Sequence, residues 1–77
     1  MKKVLVIGAG GQIGTELVFN LRAKYGNENV VAADLSEKCP DHLAGGPYAK
    51  LDILNREAVR EYIINGAFSD VYLLAAL

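Results

Sequence analysis

The segment that most restricts the fold is GAGGQIG at residues 8–14, placed directly after VLVI at residues 4–7. Val4 to Ile7 is a continuous apolar run rich in β-branched residues, the pattern of a strand covered on both faces. Glycine is poor in helices and strands alike, so four glycines at this point mark a tight hand-over between two elements. Beyond the turn, Ile13, Leu17, Leu21 and Tyr25, with Val18 beside them, fall at helical spacing, and Gly26 is a natural stop. A covered strand, a glycine turn and a helix open a βαβ unit, which requires a parallel sheet.

The rest of the chain continues that pattern. Val30 to Ala33 is a second apolar strand ending at Asp34, and Leu35 to Pro47, with Pro40, Gly45 and Gly46, reads as a loop holding at most one helical turn. Tyr48 to Leu51 is a short third strand ending at Asp52. Asn55 is a good N-cap for a helix that carries Ala58, Val59, Tyr62 and Ile63 on one face and is closed by Gly66. Val71 to Ala76 is the fourth strand. This order predicts an α/β fold: one half of a doubly wound, Rossmann-type parallel sheet. Its four strands take the order 3-2-1-4, with helices on both faces and right-handed crossovers. Ligands of such sheets bind beyond the carboxyl ends of the strands, where Gly8, Asp34, Asp52 and Ala75 are expected to crowd one rim.

Gly8, Gly11 and Gly14 form G-x-x-G-x-x-G between strand and helix. The first permits the turn, the second lets the backbone approach a pyrophosphate, and the third lets the helix pack close to the strand. N–H groups near Gln12 and Ile13 then point at the phosphates, helped by the positive end of the helix dipole. Asp34 stands 20 residues after Gly14 at the end of the second strand, followed by Leu35. A carboxylate there accepts hydrogen bonds from the adenosine ribose and repels a 2′-phosphate, which favours NAD over NADP. Asp52, followed by Ile53, either meets the adenine amino group or caps the turn into the next helix. A P-loop is excluded, because G-x-x-x-x-G-K-[ST] cannot be laid on the sequence.

Composition narrows the function classes. A chain of 77 residues that is 52% hydrophobic and 22% charged is one small globular domain. A net charge of −1 gives no electrostatic reason to expect nucleic acid. No apolar run approaches the ~18 residues of a membrane span, and the start does not fit a signal peptide. A cytoplasmic location is therefore expected, in keeping with a single cysteine. Cys39 and His42 have C-x-x-H spacing without a second ligand pair, so no metal is expected. The tyrosines at 25, 48 and 62 are assigned to packing.

Over its whole length the sequence resembles the extended short-chain dehydrogenase/reductase family, the nucleotide-sugar epimerases and their relatives. The residues that carry the likeness are the glycine motif at 8–14, Asp34, Asp52 and Leu74-Ala75-Ala76. The segments VLVIGAGGQIGTEL, GPYAKLDIL and DVYLLAAL are most similar to the family's L-threonine 3-dehydrogenases of short-chain type. Leucine at 73, where sugar epimerases often have histidine, fits that branch. The resemblance implies that Leu74, Ala75 and Ala76 run beside the ribose and pyrophosphate of the cofactor. It also implies catalysis by a Y-x-x-x-K pair. Here the positions four after Tyr25, Tyr48, Tyr62 and Tyr72 are Asn29, Asp52, Gly66 and Ala76, so no catalytic residue is expected. The chain is then expected to be one NAD-binding half-domain over residues 1–77, the first part of such an enzyme and inactive alone. The matching part of an epimerase or dehydratase, or a free-standing nucleotide-binding or assembly module, are the alternatives. An apolar fourth strand without lysine or proline further predicts a homo-oligomer through that edge.

Overall fold

The structure, a computed structural model, describes residues 2–74. Its elements are β1 (Val4–Ile7), α1 (Gln12–Tyr25), β2 (Val30–Asp34), β3 (Tyr48–Lys50), α2 (Arg56–Gly66) and β4 (Asp70–Leu73). Single 3-10 turns lie at Asn27–Asn29 and Asp41–Leu43. The four strands form one sheet in the order β3-β2-β1-β4, with every neighbouring pair parallel. Val4 pairs with Val30 on one side and Asp70 on the other, so the register runs straight across the centre.

Alternation along the central strands divides the core in two. Val4 and Val6 of β1, with Val30 and Ala32 of β2, face α1 and pack with Val18 and Leu21. Leu5 and Ile7, with Val31 and Ala33, face the other way and meet Val59, Tyr62 and Ile63 of α2. Both faces of β1 are therefore covered, which is why its four residues are all apolar and all buried. Leu43, from the 3-10 turn in the long loop, is fully buried on the α1 side and closes that half of the core.

Three details differ from the sequence expectations. The buried face of α1 consists of Gly14, Val18, Leu21 and Arg22, and Ile13 is 75% exposed. Gly14 sets this phase: a Cβ there would lie 2.6 Å from the Gly8 carbonyl oxygen and 2.7 Å from the Ala9 Cα. Only glycine lets the helix sit so close, so residue 14 must face the sheet and Ile13 is turned onto the rim. Secondly, α2 ends at Gly66, yet Ala67 takes the left-handed turn (φ 51°). Gly66 is needed for space, because a Cβ would run into the Phe68 ring. Thirdly, β3 closes at Lys50, and β4 runs from Asp70 to Leu73. The expected continuation of β4 through Ala75 and Ala76 lies outside the described residues.

Arg22 is the polar member of the core, 6% exposed. Its Nε donates to the Val30 carbonyl (3.2 Å), Nη1 to Leu43 (2.8 Å) and Nη2 to Pro47 (2.8 Å). Burial lowers the guanidinium pKa from its ordinary value, and no carboxylate among the described residues forms a salt bridge with it. One side chain thereby ties α1 to the start of β2, the 3-10 turn and the entry to β3. At the other end of the long loop the Tyr48 hydroxyl donates to the Ser36 carbonyl (2.7 Å), so this tyrosine does more than pack.

Candidate functional site

The carboxyl ends of β1 and β2 meet at the glycine turn. Gly8 has φ 85°, a left-handed backbone that side chains resist. The N–H groups of Gly8 and Ala9 both donate to the Ala33 carbonyl (2.9 and 3.1 Å), which fastens the turn to β2. Thr15 fastens it to α1, since its hydroxyl lies 3.1 Å from the Ala9 carbonyl and 2.8 Å from that of Gly11. Thr15 is not among the residues expected from the sequence, although a hydroxyl one turn into a helix is a familiar back-bonding position.

The chain then enters α1 with Gly11 as N-cap, no side-chain cap bond and no acidic residue in the first turn. Among the described residues the N–H groups of Gly11, Gln12, Ile13 and Gly14 have no acceptor. These are the donors that any α-helix leaves free, and here they keep their partial positive charge uncompensated. A Cβ added at Gly11 would meet nothing within 4 Å, so the space beyond that glycine is open. The cleft there, about 390 Å³, is lined by Gly8, Gly11, Gln12, Ile13, Gly14 and Leu74. Free amides, a helix N-terminus and a glycine facing open space together suit a pyrophosphate group.

Asp34 does not line this cleft but is bonded to the same turn through Gly10. Its Oδ2 accepts the Gly10 N–H at 2.6 Å, and its Oδ1 accepts the Leu35 N–H at 2.7 Å. A Cβ at Gly10 would fall 2.6 Å from Oδ2, so the fourth glycine of the motif makes room for this carboxylate. Asp34 is half-buried and Leu35 is exposed, which leaves the outer side of the carboxylate accessible from the rim.

The remaining expected residues are placed unevenly. Asp52 caps the turn into α2: its Oδ1 accepts the Leu54 N–H (2.9 Å) and its carbonyl that of Asn55 (3.0 Å). Of the two roles considered for it, the turn role is present in the geometry. Ile53 is half-buried against the α2-side core, and neither residue lines the glycine cleft. Leu74 does line it, held by its N–H to the Ile7 carbonyl at 2.9 Å. Ala75 and Ala76 lie outside the described residues. Cys39 packs against the α1-side core, and His42 is exposed.

Two further clefts, of about 290 and about 500 Å³, share Phe19 and His42 as lining residues. The larger exceeds the glycine cleft in volume. Neither is lined by the free amides of the helix start, so convergence of donors, not size, singles out the glycine cleft as the candidate site.

Known proteins resemble this chain in sequence and in fold. The NAD dependent epimerase/dehydratase family matches over residues 4–77. An uncharacterized epimerase/dehydratase of Staphylococcus haemolyticus is 42% identical over 78 residues, covering 100% of this chain and 24% of that protein. The L-threonine dehydrogenase of Clostridium difficile superposes with a TM-score of 0.87 at 35% identity, covering 100% of this chain and 24% of that one. The UDP-glucose 4-epimerase of Brucella ovis, solved in complex with NAD, gives 0.75 at 27% identity, covering 100% and 23%. The chain thus spans about a quarter of the length of the relatives it matches. From the glycine turn, the parallel 3-2-1-4 sheet and these matches together, the chain belongs to the NAD-dependent epimerase/dehydratase family.

Proposed function

We propose that this chain is the NAD-binding half-domain of an oxidoreductase resembling L-threonine 3-dehydrogenase. The observation that carries the reading is the set of free amides at the start of α1, with Asp34 bonded to the same turn. The amides of Gly11, Gln12, Ile13 and Gly14 would hold the pyrophosphate, and Gly8 shapes the turn beneath it. Asp34 and Leu35 would take the adenosine ribose, and Leu74, Ala75 and Ala76 would run beside the ribose and pyrophosphate of the cofactor. Asp52 would face the adenine with the carboxyl oxygen that its turn leaves free, and Ile53 supports that turn from the core. When bound, NAD accepts a hydride at its nicotinamide ring. No tyrosine of the chain has lysine four positions on, so the chain by itself should bind without turnover of threonine. Similarity to threonine dehydrogenases at higher identity than to the sugar epimerase favours the former as the parent activity.

The test is calorimetry with NAD, ADP-ribose and NADP on the unsubstituted chain and on Asp34→Ala. NAD and ADP-ribose binding, with NADP weaker and the gap narrowed in Asp34→Ala, supports the assignment. Equal affinity for NAD and NADP in the unsubstituted chain refutes the role given to Asp34. NADH production from threonine refutes the claim of missing chemistry.

β4 also carries a proposal. Among the described residues it pairs with β1 alone, and Leu73 on it is 57% exposed. A second copy pairing along this edge would satisfy its backbone groups and cover its leucines, making a homo-oligomer.

A further inference from the structure

We propose that Asp34 is a positioning residue for the phosphate-binding turn, acting through Gly10, in addition to any contact it makes with a ribose. The inference rests on the NAD-binding reading above and extends it. The Gly10 amide sits between the amides of Gly8 and Ala9, tied to the Ala33 carbonyl, and those of Gly11 to Gly14, left free for a ligand. It is the last tied donor before the free ones, and the group that ties it is the carboxylate of Asp34. Two elements therefore share one contact: the end of β2, through Asp34, and the middle of the glycine turn. The other carboxyl oxygen is anchored on the Leu35 N–H, so the carboxylate is braced against its own strand end. The absence of a side chain at residue 10 permits the approach, since a Cβ would overlap the carboxylate at 2.6 Å from Oδ2 and 3.2 Å from Cγ.

The energetic consequence runs against simple electrostatics. A carboxylate beside a phosphate site repels the ligand, so removing its charge alone should tighten the binding of a bare anion. If Asp34 also holds the turn in its donor-forward shape, removing its oxygen should loosen the turn and oppose that gain. Neutral substitutions separate the two effects. Asp34→Asn and Asp34→Ala both lose the charge, and neither can accept from both the Gly10 and the Leu35 N–H, because the carboxamide of asparagine has one acceptor oxygen and alanine has none. Only asparagine keeps an oxygen to accept from Gly10.

The experiment uses inorganic pyrophosphate, which has no ribose, alongside ADP-ribose. Pyrophosphate should bind Asp34→Asn about fivefold tighter than Asp34→Ala, the factor expected for one ordinary net hydrogen bond. Gly10→Ala, which displaces the carboxylate while keeping its charge, should bind pyrophosphate more weakly than the unsubstituted chain. Amide hydrogen exchange measured without ligand gives a second readout: Gly10 should exchange more slowly in the unsubstituted chain and in Asp34→Asn than in Asp34→Ala. Equal pyrophosphate affinity in the two neutral variants, or equal Gly10 exchange in all three, overturns the positioning role. That result leaves the NAD reading intact if ADP-ribose still binds. Absence of both pyrophosphate and ADP-ribose binding in the unsubstituted chain overturns the site itself, whatever the exchange rates show.

Discussion

Replacing Arg22 by methionine tests whether one buried cation holds the long loop to the sheet. Methionine keeps an unbranched apolar stem in the space that the arginine stem fills, and it removes the guanidinium. Three carbonyls lose a donor, those of Val30, Leu43 and Pro47. The Pro47 oxygen retains the Ala32 N–H (3.0 Å), whereas that of Leu43 has no second donor among the described residues. Bonds to a charged donor contribute about 1.5–3 kcal/mol each, and a buried acceptor left bare costs about 1–3 kcal/mol. Opposing this, the variant no longer desolvates a cation that has no counter-ion among the described residues, a relief of several kcal/mol. The bonds outnumber the relief, and a net loss of about 2–4 kcal/mol is expected. Total stability for a chain of 77 residues is on the order of 4–12 kcal/mol, so the loss takes a large share. Urea unfolding followed by circular dichroism measures it, provided the slope is unchanged. Arg22→Lys keeps the charge but not the planar fork and should fall between the two. A methionine variant as stable as the original would show that the desolvation cost outweighs the carbonyl bonds. Lysine as stable as arginine would show that the fork geometry is irrelevant.

Two glycines of one motif should separate stability from binding. Gly14→Ala drives a Cβ into backbone atoms of Gly8 and Ala9 and should cost about 1–3 kcal/mol in thermal unfolding. Gly11→Ala meets open space, so its melting should stay within about 0.5 kcal/mol while pyrophosphate affinity drops. Asn55→Ala removes the cap bond to the Ala58 N–H and should cost about 1 kcal/mol, read from the same melts. Leu73→Lys should shift any dimer toward monomer by light scattering coupled to gel filtration, and Lys38→Ala, in the long loop, should not; a clean monomer for the unsubstituted chain at high concentration removes the β4 proposal.

Much of the architecture is written in local pattern. VLVI announced a strand buried on both faces, and the βαβ order was enough to place β1 between β2 and β4. Asn55 was recognisable as a cap because its side chain works on its own backbone, three residues ahead. What escaped were contacts between segments distant in sequence. The phase of α1 was misjudged because apolar spacing placed Ile13 inward, while the close approach at Gly14 turns it outward. Counting the helix from Gly14 instead would have put Arg22 on the core face and raised the question of its partners. Those partners are backbone oxygens of the loop and strands, which carry no sequence signature. The reason for Gly46 likewise appears only in the fold, where a Cβ would press on the Asn27 carbonyl oxygen and on the Arg22 guanidinium. Gly10 was passed over because the motif names three glycines, and the carboxylate that needs the fourth arrives 24 residues later.

Whether a dinucleotide's phosphates lie on the free amides of the glycine turn is decided by a titration of the ¹⁵N-labelled chain with ADP-ribose, followed by amide chemical shifts. The largest saturable shifts should fall on Gly8, Gly11, Gln12, Ile13 and Gly14, with Asp34 and Leu35 moving at the same ligand concentrations. Shifts that leave those amides still and gather instead around Phe19 and His42, or no shift at all up to millimolar ligand, would contradict that placement.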